Sequence, residues 1–450
     1  MINIIKPIPA FLGNQEGFAN HAVPLGGFLE CSGLVQYDVG KLEGIPGVGS
    51  FLSLTGTINN IPVAGVIVFS SNEDVYCVVV YTDGTAKLWN IGANVEITGA
   101  TSLTDAYVGF VGKIFGAGSV IGTGVSPPGA ISALANIWTR TFYLGQELVA
   151  NGVQAIQKIT GYNTRADLTG SPSPPVGCLV QSYLNRLYVA GVSATEDRVY
   201  FSNSLTSDFP STSYLLTDEV PGWVTALSLN SPTSGGGTIV GELVIAKHAG
   251  IIKLTGDPAA STSSKDVVSN SVGSDSPHTF INTPLGTMFM GISGGRYNVY
   301  LMKYGSSGDP IVVSRTAIEK SLNDGISNAR LVYAQLHDGF YKLFVETGGE
   351  FVEYWFDVDS ALGGSNLWYG PHRRGLREAP VVGDSSQLFV FRVIGTTAAI
   401  YQEEEPGSSG NFFDVFGDRI PLTLEIPLNV DPIFEEKIRF ICFNRHKRNR

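Results

Sequence analysis

The sequence predicts an all-β chain folded as a degenerate β-propeller of about six blades, with a docking segment at each end. Three observations predict it. Apolar residues make up 43% of the chain and charged residues only 15%, and 54 Gly and 23 Pro punctuate its 450 positions. That balance suits short strands joined by tight turns and disfavours long solvated helices. Strand–turn–strand signals recur along the chain, and their spacing of roughly 45–55 residues is that of four-stranded propeller blades.

In chain order, VYCVVVYTDGTAKLWN (Val75–Asn90) places two β-rich runs around Asp83-Gly84, a strong hairpin signal. NRLYVAGVSATEDRVYFSNS repeats the plan, with apolar-alternating runs on either side of Glu196–Asp197. ELVIAKHAGIIKLTG (Glu242–Gly256) turns at Ala249-Gly250, and GTMFMGISGGRYNVYLMKYG (Gly286–Gly305) turns at Gly294-Gly295. ARLVYAQLHDGFYKLFVE (Ala329–Glu346) turns at Asp338-Gly339, and QLFVFRVIGTTAAIYQEE (Gln387–Glu404) at Gly395-Thr396. Helical signal is confined to AIEKSLNDGIS (Ala317–Ser327), which Gly325 should stop. SPSPP (Ser171–Pro175), SPTSGGG (Ser231–Gly237) and EPGSSG (Glu405–Gly410) read as surface loops. The rhythm divides the chain into an N-terminal docking segment (1–55), a propeller-like body (56–405), and a C-terminal strand segment with a basic tail (406–450).

The net charge of −11 disfavours non-specific wrapping of nucleic acid, which depends on Lys and Arg neutralising phosphates. Cys31, Cys77, Cys178 and Cys442 form no CxxC pair, and the six histidines show no metal spacing, so no cofactor, metal site or disulfide scaffold is expected. The N-terminus lacks the pattern of a secretory leader, and no apolar window reaches the ~18 residues of a membrane helix. HExxH and P-loop patterns are absent, so no enzyme is expected.

Other residues carry two readings each. YTDGTAKLW (Tyr81–Trp89) loosely resembles the Asp-box of sialidase-type propellers, but an Asp-Gly turn before a core Trp also explains it. Glu196–Asp197 and Glu403–Glu405 read as solvated rims, with an acid/base pair as the sharper alternative. Trp355 and Trp368 read as core, with stacking on sugars or bases as the alternative. The terminal Arg445, Lys447, Arg448 and Arg450 read either as a solvated end or as an arm gripping an acidic partner.

Several segments gain meaning from their order: KLEGIPGVGSF (Lys41–Phe51), RLYVAGVSATEDRVYFSNSLTSDF, GELVIAKHAGIIKLTGD, VVSRTAIEKSL (Val312–Leu322), LHDGFYKLFV, then FVEYWFDVDS and LWYG. In this order they resemble the tail nozzle, or tail hub, proteins of short-tailed bacteriophages, a family also described as packaged-DNA stabilization proteins. The resemblance spans about two thirds of the chain. It implies a structural virion protein, assembled in the host cytoplasm into a ring, a hexamer, below the portal and tail adaptor. The bore of that ring would pass DNA and be sealed by a plug or needle protein, with fibres or spikes on its outer wall. Acidic residues are expected along that bore, and Arg445–Arg450 are expected to touch a neighbouring ring. A carbohydrate-binding or glycan-degrading propeller, and a phage receptor-binding or head-decoration protein, are the alternatives.

Overall fold

The computed structural model describes residues 138–376 with short interruptions, and outside them chiefly the strands between 30 and 104 and between 380 and 441. The calls on Ser231–Gly237, the Asp83-Gly84 and Gly395-Thr396 turns, Glu405–Gly410 and the basic tail fall largely or wholly outside the described residues.

The chain is an all-β propeller. Among the described residues, six blades each contain four strands consecutive in sequence. Blade 1 comprises Pro62–Ser71, Asp74–Tyr81, Thr85–Asn90 and Val95–Ile97; blade 2 comprises Thr139–Tyr143, Gln146–Ala150, Gln157–Gly161 and Thr164–Asp167. Blade 3 comprises Gly177–Tyr183, Arg186–Val192, Arg198–Phe201 and Tyr214–Leu216; blade 4 comprises Val224–Asn230, Glu242–Lys247, Ile251–Thr255 and Ser264–Ser269. Blade 5 holds Ile281–Thr283, Gly286–Ser293, Arg296–Met302 and Ile311–Val312, and blade 6 holds Tyr333–His337, Phe340–Thr347, Glu350–Asp357 and Trp368–Leu376.

A further four-stranded sheet joins the two ends of the chain. Pro380–Val381, Phe389–Ile394 and Thr397–Glu403 are completed by Val48–Thr55, with Thr55 opposite Thr397 and Val48 opposite Glu403. Val48–Thr55 belongs to the region read as the N-terminal docking segment, and here it serves as the outermost strand of the closing sheet. Blade 6 is likewise extended, by Glu30–Ser32, Thr423–Pro427 and Lys437–Ile441. Combining strands from both ends closes the ring and leaves fewer unpaired edges.

Each hairpin quoted above has its two strands paired antiparallel. Tyr76 faces Asn90, Ser293 faces Arg296, His337 faces Phe340, and Tyr188 faces Phe201. Gly294 and Gly295 (φ +56° and +75°), and Asp338 and Gly339 (φ +50° and +77°), supply the two left-handed residues that such tight turns require. Helix α1 (Glu319–Gly325) lies where the sequence placed it. A second short helix, α2 (Val358–Leu362), starts where the Asp357 carboxylate accepts the Ser360 N–H at 2.7 Å.

One expectation about faces needs correcting. RLYVA in blade 3 reads as alternating, yet Arg186–Ala190 is buried throughout, as is all of Glu242–Lys247. Each blade packs on two neighbours, so its middle strands are covered on both sides. Apolar clusters fill the joints: Leu148, Val180 and Leu187 between blades 2 and 3, Tyr188, Leu243 and Ile252 between 3 and 4, and Met290, Leu343 and Tyr354 between 5 and 6.

The first strands of the blades neighbour one another and therefore ring the propeller axis. Between blades 2 and 3 they are tied by hydroxyls. Thr139 Oγ1 donates to the Cys178 carbonyl at 2.6 Å, and the Ser182 N–H donates to Thr141 Oγ1 at 2.9 Å. None of these first strands contains Asp or Glu. The strands around the propeller's own axis therefore supply no acidic wall.

Candidate functional site

The two faces of the propeller differ in chemistry. Call the face bearing the turns between first and second strands, and between third and fourth, the lower face. The upper face bears the turns between second and third strands and the blade-to-blade connections.

On the upper face of blades 3 and 4, Glu196, Asp218 and Glu219 are exposed and Asp197 is half-buried. Glu196–Asp197 sits at a rim turn, but its backbone is occupied: the Asp197 carbonyl accepts from Thr217 N and Oγ1, and the Glu196 carbonyl accepts from Val224 N. The turn therefore pins the connection into blade 4. Beneath it Lys247 is buried, with Nζ donating to the carbonyls of Thr217 (2.6 Å) and Val220 (2.5 Å) and to Thr217 Oγ1 (3.1 Å). Burial lowers its pKa from the usual lysine value.

The lower face of blades 2 to 4 holds a groove of about 490 Å³ whose wall includes Phe142, Leu144, Leu184, Asn185 and Leu229, with no charged side chain. Its floor is fixed by two tyrosines that reach from one blade to the next. Tyr143 Oη donates to the Thr206 carbonyl at 2.7 Å, and Tyr183 Oη donates to the Gly241 carbonyl at 2.8 Å while accepting Gly256 N–H at 3.0 Å. Beside them Arg186 makes a two-pronged pair with Asp257, at 2.8 and 3.0 Å.

The densest charge cluster is buried in blade 6. Glu353 Oε1 accepts from Arg374 Nε at 2.6 Å, and Oε2 accepts from Arg374 Nη2 at 2.8 Å and from Trp355 Nε1 at 2.9 Å. Lys342 Nζ lies 3.8 Å from the Trp355 ring centre, and the His372 ring meets the same indole edge-on at 5.0 Å. All five residues are buried. They alternate along their strands with Tyr341, Leu343 and Tyr354, which face blade 5, so the cluster faces the closing sheet. With no route from solvent to these groups, the arrangement holds a joint and offers no surface to a substrate.

His278 sits at the joint of blades 5 and 6, its ring stacked on Tyr333 at 5.2 Å and 16°. The residue is half-buried, and burial pushes its pKa from 6.5 down to about 4. The unfolded chain then binds more protons than the folded one between those values, so stability rises with pH across that window and falls as pH drops through it. Urea midpoints at about pH 7 and about pH 4.5 should differ more for the natural protein than for His278→Phe, which keeps the stack but cannot titrate. Equal differences would contradict this.

Of the residues singled out in the sequence, Trp355 and Trp368 are both core, 0% exposed, which removes them as stacking platforms. Trp89 is half-buried within blade 1, and Asp83 lies outside the described residues. Arg445, Lys447, Arg448 and Arg450 also lie outside them. Among the described residues no group of His, Cys, Asp and Glu is arranged to hold a metal ion. The lower-face groove was not legible, because its leucines occupy turn positions that ordinarily call for Gly or Asn.

No family model and no curated protein matches the chain. Among solved structures it is similar to YCF48 from Cyanidioschyzon merolae, at 14% identity over 78% of this chain and 99% of that one, with a TM-score of 0.38. It is also similar to an ancestral GH74 enzyme, at 9% identity over 85% of this chain and 51% of that one (TM-score 0.43). A third is the β-propeller domain of Cps50 (Swd1) from Myceliophteria thermophila, at 11% identity, 79% and 99% coverage, and a TM-score of 0.41. Likeness at this level carries no argument about activity, and the propeller is read from the sheet topology itself.

Proposed function

We propose that this chain is a structural protein of a short phage tail, forming the distal ring through which DNA leaves, without catalysis of its own. One observation supports the reading beyond the resemblance. The polar residues of the family-like segments are engaged in joints between elements and not gathered into a site. Asp257 of GELVIAKHAGIIKLTGD holds Arg186 of the preceding blade. In VVSRTAIEKSL, Ser314 Oγ donates to Asn298 Oδ1 at 3.0 Å and accepts Val299 N–H at 2.8 Å. Asp357 of FVEYWFDVDS caps α2. A protein whose task is to hold shape and present surfaces uses its polar groups in this way.

In this role the ring seats against an adaptor on one side, receives a plug or needle protein in its bore, and carries fibres or spikes outside. The basic Arg445, Lys447, Arg448 and Arg450 grip a neighbouring ring. Deleting residues 445–450 should weaken attachment to particles without lowering the unfolding temperature; unchanged particle assembly would refute the arm. Gold-labelled antibody against the chain should mark the tail tip of the particle that carries it. Label on the capsid surface would favour head decoration, and glycan-array binding by the purified protein would favour the carbohydrate reading.

A further inference from the structure

Exposed charge on this propeller is sorted by blade. Among the described residues the exposed cations are Arg296, Lys303, Arg315, Lys320 and Arg373. Arg296, Arg315 and Lys320 stand together on blade 5 and the connection that leaves it, in a chain whose net charge is −11.

Local structure gathers the three. Arg296 opens the third strand of blade 5 at its upper-face turn, Arg315 follows the fourth strand Ile311–Val312, and Lys320 lies in α1. Asn323 ties α1 to the third strand: its Oδ1 accepts the Tyr297 N–H at 2.9 Å, and its Nδ2 donates to the Tyr297 carbonyl at 2.9 Å. Ser314, next to Arg315, is held on the same strand through Val299 N–H. The patch therefore sits on a rigid base at the outer corner of the upper face. Arg296 Nη1 reaches Glu319 at 3.4 Å but is 74% exposed, which makes that pair weak. Arg315 and Lys320 have no ion-pair partner among the described residues.

The equivalent corner of blade 3 carries the opposite charge. Glu196 stands at the upper turn between second and third strands, and Asp218 and Glu219 follow the fourth strand, Tyr214–Leu216. These are the positions that Arg296 and Arg315 take in blade 5. Glu219 pairs with Lys265, while Glu196 and Asp218 meet no cation among the described residues. Lys247 and the Asp197 carbonyl fix the chain beneath them.

Blade 4 stands between the two corners, so the body that can bring them together is another copy of the chain. Like charges keep matching corners apart, and opposite charges steer unlike corners into contact. Contact between two different patches is head-to-tail, and repeated head-to-tail contacts close into a ring, whereas a patch that meets itself stops at a dimer.

We infer that copies of this chain join head to tail, the Arg296, Arg315 and Lys320 corner of one seated against the Glu196, Asp218 and Glu219 corner of the next. This contact rests on the oligomeric ring of the proposed function and names the two surfaces that build it.

The test is sedimentation velocity on the full chain and on two charge-reversed variants, Arg315→Glu/Lys320→Glu and Glu196→Lys/Asp218→Lys. All four side chains are exposed, so each variant should keep the natural unfolding temperature. Alone, each should self-associate about 100-fold more weakly, because like charges then meet at every contact. Mixed in equal amounts the two should assemble again, since each acidic corner then finds a basic one; a folding defect would not be rescued in this way. Lys303→Glu, at the lower end of blade 5, should assemble as the natural chain does. Folded variants that each assemble like the natural chain overturn the inference and leave the ring reading standing, as does a mixture that stays apart. A natural chain that stays monomeric at high concentration overturns both.

Discussion

Glu353→Gln is expected to lower stability by about 3–5 kcal/mol, the cost of leaving a buried charge without its counter-ion. The substitution keeps the shape of the side chain but strips the two-pronged carboxylate acceptor from Arg374, which is 0% exposed. Lys342, buried over the same indole, adds a second positive charge to the site. Urea unfolding followed by far-UV circular dichroism measures the effect. The double variant Glu353→Leu/Arg374→Met should recover most of the loss, because replacing both charges by apolar groups removes the desolvation penalty along with the pair. A midpoint unchanged in Glu353→Gln would mean that water reaches the cluster and that it does not seal the joint to the closing sheet.

The second large effect is expected at Trp368, where Trp368→Ala should cost about 3–5 kcal/mol. Its ring is fully buried between blades 5 and 6, 5.0 Å from the Phe356 ring, and its indole N–H donates to the Val313 carbonyl at 2.9 Å. Truncation opens a cavity in the joint and leaves that carbonyl without its donor. Trp368→Phe should retain part of the packing and lose the hydrogen bond, so its cost should fall between zero and that of alanine. Equal costs for Phe and Ala would show that packing contributes little here.

Which features are legible in the sequence follows from which residues decide each of them. Hairpins with Gly-Gly or Asp-Gly turns were legible because few other dipeptides supply two left-handed residues, as at Gly294-Gly295 and Asp338-Gly339. The turns at Leu144-Gly145 and Leu184-Asn185 have the same backbone signs but open with leucine, so the pattern hid them. The role of Val48–Thr55 was hidden for another reason. Its partner Thr397–Glu403 lies more than 340 residues away, and no local signal announces such a pairing. Glu353, Arg374 and Lys342 sit at alternating positions that usually face solvent; only the closing sheet packed over them makes that face interior. The upper-face pair Glu196–Asp197 was legible as a rim turn, while its carbonyls' hold on Thr217 and Val224 was not.

The central claim is that this propeller is a ring-building structural protein. Electron microscopy of the purified full-length chain, together with native mass spectrometry, tests it most directly. The account predicts closed rings of one size, with a mass of six copies and an open bore whose wall is formed by the outer surfaces of the protomers. A chain that remains a single propeller at every concentration examined, and binds no virion part, would contradict it.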